Sequence, residues 1–229
     1  MWAIAALLAS GPAVAGDCVV LLHGLGRTHG SLALMQFALE SAGYAVWNRG
    51  YDSTSAGIEE LSAVVGEAVA ECRHGSPQKI HFVTHSMGAI LVRAYFQDHR
   101  VPEAGRVVML APPNHGSEVV DAYRDRWWFR SATGPAGQQL GTTADSLPNR
   151  LAPIPLEIGV IAGSASSDPW FTDLFVSDHD GKVSVASTRL SEMKDQIVVE
   201  GGHTFMMNSP VVIRQVKAFL EKGAFEKKT

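Results

Sequence analysis

Hydrophobic positions along this chain fall into short unbroken runs separated by stretches of helical spacing. Residues 19–22 form a β-branched and aliphatic run ending at His23 and Gly24, which predicts a strand buried on both faces. Ser31 is placed to cap a helix carrying Leu32, Met35, Phe37, Ala38 and Leu39, with Gly43 as its stop. Residues 44–47 predict the second strand. Ile58, Leu61, Val64, Val65, Ala68, Val69 and Cys72 then recur at 3, 4 and 7 spacing, while Glu59, Glu60, Ser62, Glu67 and Glu71 take the opposite side. That is one amphipathic helix covering a sheet. Further strands are predicted at 80–83, 106–110, 157–162 and 196–199. One helix is predicted at about 87–98, and another runs to Leu220 from Ser209 as N-cap and Pro210 in its first turn. Strands alternating with helices predict an α/β fold: a minimal, mostly parallel six-stranded sheet with helices on both faces. There is no internal repeat.

Residues 112–155, between the fourth and fifth strands, differ in texture. They hold Pro112, Pro113, Pro135, Pro148, Pro153 and Pro155, with Trp127, Trp128 and Phe129 adjacent near the middle. A segment of roughly 40 residues is too long for an ordinary connection of ~2 to 6. It is therefore expected to form a small cap over a site, with the three aromatic side chains either contacting substrate or forming the cap's own core.

Composition narrows the class. The chain has 229 residues, 46% of them hydrophobic and 18% charged, which excludes a disordered, collagen-like or coiled-coil protein. One domain, 16–229, is expected. The formal charge of −4, with no block of like charge, provides no field for a phosphate backbone, so nucleic acid is excluded as a partner. Residues 1–15 predict an export signal: an apolar run at 2–9, too short to span a bilayer, is followed by Ser10, Gly11, Pro12 and the small-x-small pattern Ala13, Val14, Ala15. The run departs from the usual pattern in having no Lys or Arg at its start. No other stretch reaches membrane-spanning length, and the protein is expected in the periplasm or outside the cell, without integral membrane association. The two cysteines, Cys18 and Cys72, suit that compartment: they form either a disulfide or two buried free thiols.

The chemistry is concentrated at strand ends. Thr84, His85, Ser86, Met87 and Gly88 sit where a buried strand turns into a helix, a bend that lifts a serine hydroxyl above the sheet, while the small residue two places on lets the helix pack close. Thr84 stands where the G-x-S-x-G pattern has its first glycine. The first strand ends in His23, Gly24, Leu25 and Gly26, whose backbone N–H groups are placed to hold an oxyanion. The last strand is followed by Gly201, Gly202 and His203, at the edge where open α/β sheets carry their sites. Asp178, His179, Asp180, Gly181, Lys182 and Val183 follow the fifth strand. The chain order Ser86, Asp180, His203 is serine, acid, histidine.

On these residues the sequence resembles the α/β-hydrolase superfamily, and within it the small bacterial lipases and esterases. The resemblance implies Ser86 as nucleophile, His203 as general base, Asp180 as its orienting acid, and oxyanion donors on the backbone of Leu25 and Met87. It implies ester cleavage without a cofactor, on a small-molecule or lipid ester with a short-to-medium acyl chain. The first and third strands are neighbours in that fold, so Cys18 and Cys72 come to the same edge of the sheet, and a bridge between them is expected. Two other functions fit the same parts: acyl transfer, in which an alcohol resolves the acyl-enzyme, and a catalytically silent hydrolase fold used for binding. His23 and His85 are read as holding loops by hydrogen bonds. His29, His74, His81 and His99 have no ligand spacing. Asp168, Asp173, Asp178 and Asp180 raise structural calcium as an option, but scattered loop carboxylates are read as solvated, and no metal is expected. The residues from Asn114 to Ser117 either face the site or cap the helix that starts near Glu118.

Overall fold

The computed structural model describes residues 16–166 and 169–227; the expected signal segment 1–15 and Asp168 lie outside them. All six predicted strands form: β1 (Cys18–Leu22), β2 (Ala45–Trp47), β3 (Ile80–His85), β4 (Ala104–Leu110), β5 (Glu157–Gly163) and β6 (Met193–Val199). They lie in the order β2-β1-β3-β4-β5-β6, and every pairing is parallel. The helices are α1 (Ala33–Glu40), α2 (Ile58–Leu61), α3 (Ala63–Arg73), α4 (Met87–Asp98), α5 (Glu118–Tyr123), α6 (Trp127–Gln138), α7 (Leu147–Arg150) and α8 (Pro210–Lys222).

Parallel strands force the chain back across a face of the sheet after each strand, so both faces are covered and the interior strands read as continuous apolar runs. Alternate side chains go to opposite layers. Val20, Leu22, Phe82, Val107, Met109, Ile158 and Val160 pack in one cluster with α3 and α4 residues such as Val65, Val69, Ile90 and Leu91. Val19, Leu21, Val83, Val108, Leu110 and Ile161 pack in the other with Met35 and Leu39 of α1 and Val212, Val216 and Phe219 of α8.

Three local expectations differ. The helix predicted from Ile58 is divided at Ser62, whose hydroxyl donates to the Glu59 carbonyl at 2.7 Å. Ser31 lies inside a 3₁₀ turn (His29–Leu32), its hydroxyl donating to the Thr28 carbonyl at 2.8 Å, and α1 begins after it. Ser209 precedes α8 as expected but makes no side-chain cap bond.

Residues 112–155 hold α5, α6 and α7. A buried arginine, Arg93 of α4, clasps this stretch: its guanidinium donates to the carbonyls of Asn114 at 3.0 Å, Pro148 at 3.1 Å and Leu151 at 3.2 Å. Among the described residues no carboxylate lies within bonding distance of it, and burial lowers its pKa to about 10, so it remains charged near neutrality. Gln97, one turn further along α4, adds a reciprocal pair of bonds to the Ala152 backbone, both at 3.1 Å.

Cys18, opening β1, is bonded to Cys72 in the last turn of α3, with the two Cα atoms 5.9 Å apart. The alternative of two free thiols is thereby set aside: among the described residues no cysteine is free. The bridge lies at the N-terminal edge of the sheet, away from the loops described next.

Candidate active site

The strand order reverses at β1: β2 lies on one side of it and β3 on the other. The crevice beyond the carboxyl ends of β1 and β3 is the place where open α/β sheets expose loop backbone to a ligand. Both chemistry-bearing turns leave from it. Leu22 of β1 is in register with Thr84 of β3, so the loop after β1 and the turn after β3 face each other at one height. Ser86 occupies that turn with φ 53° and ψ −124°, a conformation that side chains rarely adopt and that only surrounding packing sustains. Thr84, in the place of the pattern's first glycine, is fully buried and leaves this bend intact. The packing itself depends on glycine. A Cβ on Gly88 would lie 2.6 Å from the Leu22 carbonyl oxygen, so only glycine lets α4 start this close to β1.

Ser86 Oγ lies 3.0 Å from His203 Nε2, and His203 Nδ1 lies 2.8 Å from Asp180 Oδ2. The other Asp180 oxygen accepts the backbone N–H groups of Lys182 at 2.9 Å and Val183 at 2.8 Å. Asp180 and His203 are both buried, and a carboxylate can only accept, so Nδ1 of His203 is the protonated nitrogen. Asp178, two residues earlier, is exposed, and its carboxylate accepts no hydrogen bond from the described residues.

His203 is held by its backbone as well. Its N–H donates to the Asp180 carbonyl at 2.9 Å, and its carbonyl accepts from Nε2–H of His85 at 2.9 Å. Burial, reinforced by the nearby His203, holds the pKa of His85 well below the usual imidazole value, so it is a neutral donor.

The loop after β1 is fixed from the segment following β2. Tyr51 donates its hydroxyl to the His23 carbonyl at 2.5 Å and stacks on the His23 ring, and the Ser53 hydroxyl accepts from the Gly26 N–H at 2.9 Å. His23 itself donates from Nδ1 to the Gly24 carbonyl at 3.0 Å, and burial lowers its pKa. The backbone N–H groups of Leu25 and Met87 donate to no acceptor among the described residues. A cavity of about 210 Å³ opens here, with Ser86, His203, Gly24 and Leu25 at its base and Val119, Val120, Phe129 and Leu140 of the 112–155 stretch among its walls.

Residues 17–170 match the family model of the α/β-hydrolase fold. The chain belongs to this family. Among solved structures, the mature lipase BlEst2 of Bacillus licheniformis shares 17% identity over 93% of this chain and 94% of its own, with a TM-score of 0.75. The metagenomic carboxyl esterase MGS0156 shares 22% over 82% of this chain and 65% of its own, with a TM-score of 0.65. Lipase B of Aspergillus fumigatus shares 15% over 94% of this chain and 55% of its own, at a TM-score of 0.65. At these identities the likeness is one of fold. No curated protein sequence matches the chain.

Within this α/β-hydrolase fold the three aromatic residues read as possible substrate contacts separate. Phe129 is 8% exposed and lines the cavity, whereas Trp127 is 80% exposed and Trp128 is 44% exposed, packing beside Tyr123 at a ring distance of 5.4 Å. Neither tryptophan lines the cavity, because successive residues of α6 point about 100° apart and only the third turns inward. Ser117 precedes α5 but does not cap it; its hydroxyl donates to the Lys182 carbonyl at 2.6 Å, joining the stretch to the Asp180 turn. Asn114 is fully buried and donates to the Thr188 carbonyl at 2.8 Å while accepting from Arg93. Sequence reasoning missed Arg93, Tyr51 and Ser53. Arg93 carried a signal, a lone cation on the apolar side of a predicted helix; the other two carried none beyond a polar loop after the second strand. Among the described residues no three His, Cys, Asp or Glu side chains converge as a metal site would require, and no helix is long and apolar enough to cross a membrane.

Proposed function

We propose that this protein is a serine carboxylic-ester hydrolase, cleaving esters of short-to-medium acyl chain through an acyl-enzyme. The supporting observation is the relay from Ser86 Oγ to His203 Nε2 at 3.0 Å and from His203 Nδ1 to Asp180 Oδ2 at 2.8 Å, with the serine on a strained bend. In this reading His203 takes the serine proton as Ser86 attacks the ester carbonyl, then delivers it to the departing alkoxide. Water, deprotonated by the same imidazole, releases the acid and restores Ser86. Asp180 holds the tautomer and stabilises the imidazolium. The N–H groups of Leu25 and Met87 receive the charge that develops on the carbonyl oxygen, a contribution of ~10²- to 10³-fold in turnover for one such donor. The steps require no cofactor.

The apolar wall of Val119, Val120, Phe129 and Leu140 suits an acyl chain, and the modest cavity suits a short one. The clasp of Arg93 and Gln97 on both ends of 112–155 favours a fixed cap over a mobile lid, so turnover of dissolved esters is expected, with no jump when substrate passes its solubility limit. The Cys18–Cys72 bridge supports an oxidising destination, periplasmic or extracellular. The test is labelling by a fluorophosphonate, lost in Ser86→Ala, together with hydrolysis of p-nitrophenyl esters from acetyl to palmitoyl. A protein that is not labelled, or that is labelled but hydrolyses none of these esters, would overturn the reading.

A further inference from the structure

The cavity above Ser86 carries charge of one sign. Among the described residues its lining includes Arg27 and Lys182 and no aspartate or glutamate. An adjoining cavity of about 270 Å³ shares Lys182 and His203 with it and adds one acid, Asp180, which is buried and committed to His203 and two backbone N–H groups. Neither cation is in an ion pair among the described residues. The Arg27 guanidinium donates to the Thr204 carbonyl at 3.2 Å and stands 5.9 Å from the Phe205 ring centre; the Lys182 ammonium stands 5.4 Å from the Phe171 ring centre.

Both residues belong to the His203 side of the cavity. Thr204 and Phe205, which hold Arg27, directly follow His203, and Lys182 lies in the turn that bonds the Asp180 carboxylate. The walls supplied by Val119, Val120, Phe129 and Leu140 are apolar. In the proposed cleavage His203 protonates the leaving oxygen, so the alcohol half of the ester departs on the His203 side and the acyl half lies along the apolar wall. Two half-buried cations without a counter-ion among the described residues leave an electrostatic demand that an anion in the cavity would meet. The arginine offers a planar fork to a carboxylate or phosphate, and the lysine a compact point charge.

We infer that the alcohol half of this enzyme's ester carries a negative charge, a carboxylate or a phosphate, recognised by Arg27 and Lys182. The inference rests on the esterase reading and adds the substrate class to it. Catalysis balances as before: the acyl–oxygen bond breaks, water supplies hydroxyl to the acid and a proton to the alcohol, and the anionic group takes no part in the chemistry.

The experiment uses ester pairs that differ in one charged group remote from the leaving oxygen: 4-(butyryloxymethyl)benzoate against the corresponding benzamide, and 1-butyrylglycerol 3-phosphate against 1-butyrylglycerol. For at least one pair, kcat/KM of the anionic member should exceed that of the neutral one by ~10-fold at low ionic strength, chiefly through KM, and the ratio should shrink in about 0.5 M salt. The pair with the larger ratio identifies carboxylate or phosphate. Arg27→Gln and Lys182→Gln should each reduce the ratio several-fold and together abolish it, while Arg27→Lys keeps most of it. Turnover of the neutral esters with a ratio of one or below in both pairs overturns the inference and leaves the esterase reading standing. A ratio that survives the double substitution also overturns it. Failure to cleave any of the four esters by a protein that hydrolyses p-nitrophenyl esters overturns the inference alone; failure on both sets removes the esterase reading, and the inference with it.

Discussion

Replacing Asp180 by asparagine tests the proposed relay at its least exposed point. Oδ1 accepts the N–H groups of Lys182 at 2.9 Å and Val183 at 2.8 Å, while Oδ2 faces His203 Nδ1 at 2.8 Å. Asparagine has one oxygen, and that oxygen stays on the two backbone donors, because a flipped amide would set its own N–H groups against them. The amide nitrogen then faces His203 and can bond it only when Nδ1 carries a lone pair. The ring proton moves to Nε2, the atom 3.0 Å from Ser86 Oγ, and the imidazole can no longer take the serine's proton. The corresponding change in a serine protease lowers turnover ~10⁴-fold, equivalent to about 5.4 kcal/mol of barrier. The substitution preserves shape and both backbone bonds, so the thermal midpoint should barely move. The assay is kcat on p-nitrophenyl butyrate per mole of folded protein, alongside circular-dichroism melts. Asp178→Asn, on an exposed carboxylate two residues away, should retain most activity. A loss below about tenfold in Asp180→Asn, or an equal loss in Asp178→Asn, would refute the reasoning.

Other substitutions test the surroundings. Phe129→Ala should move the acyl-length optimum to longer p-nitrophenyl esters by opening the cavity wall, while Trp127→Ala leaves it in place; equal shifts in both would mean that the tryptophan also meets substrate. Gly88→Ala, with its new Cβ 2.6 Å from a strand carbonyl, should cost ~1–3 kcal/mol in urea unfolding and depress turnover through the Ser86 bend. An unchanged midpoint would show that the helix can retreat freely. Loss of the Cys18–Cys72 bridge by double serine substitution should lower stability by up to about 4 kcal/mol for a loop with a separation of 54 residues, with turnover retained well below the new melting point. Mass spectrometry after alkylation without reductant should find no modified thiol in the natural protein. His23, His81 and His85 all have pKa values lowered chiefly by burial, so they take up protons less readily when folded than when unfolded, where they do so below about pH 6.5. The unfolded state then holds more protons, and stability should fall as pH drops, by up to ~1.4 kcal/mol per pH unit for each histidine. Urea midpoints that stay flat between about pH 7.5 and 5.5 would contradict this sign.

How much of this was legible in the sequence depends on whether a residue's partners are near it in the chain. The interior strands announce themselves because burial on both faces demands apolar residues at consecutive positions, as in Val19 to Leu22. β6 extends beyond the 196–199 that its apolar pattern predicts, because its first residues, Met193, Lys194 and Asp195, lie at a half-exposed sheet edge where charge is tolerated. Ser86, Asp180 and His203 were legible as a set because each follows a strand, and the sheet brings strand ends together. Tyr51 and Ser53 were not, since they act on backbone groups 27 to 28 residues earlier and nothing in their own neighbourhood requires it. The aromatic run at 127–129 shows a different limit. Which of three consecutive aromatic residues faces inward depends on where α6 begins, and a shift of one residue rotates the whole face by about 100°.

His85 shows how the site's rigidity and its chemistry are connected. His203 stands on a loop beyond an edge strand, yet its carbonyl is bonded by His85, which projects from the end of the interior strand β3. The two rings are close, with centres 4.9 Å apart. Under the proposed mechanism His203 becomes positively charged each time Ser86 attacks, and a second positive imidazole at that distance would oppose the step directly. Burial removes the conflict by keeping His85 neutral, which also fixes its proton on Nε2, where the bond to the His203 carbonyl needs it. A residue that supports the base by hydrogen bonding can therefore adjoin it without competing for the same proton, and the dry environment of β3 is what makes that arrangement possible.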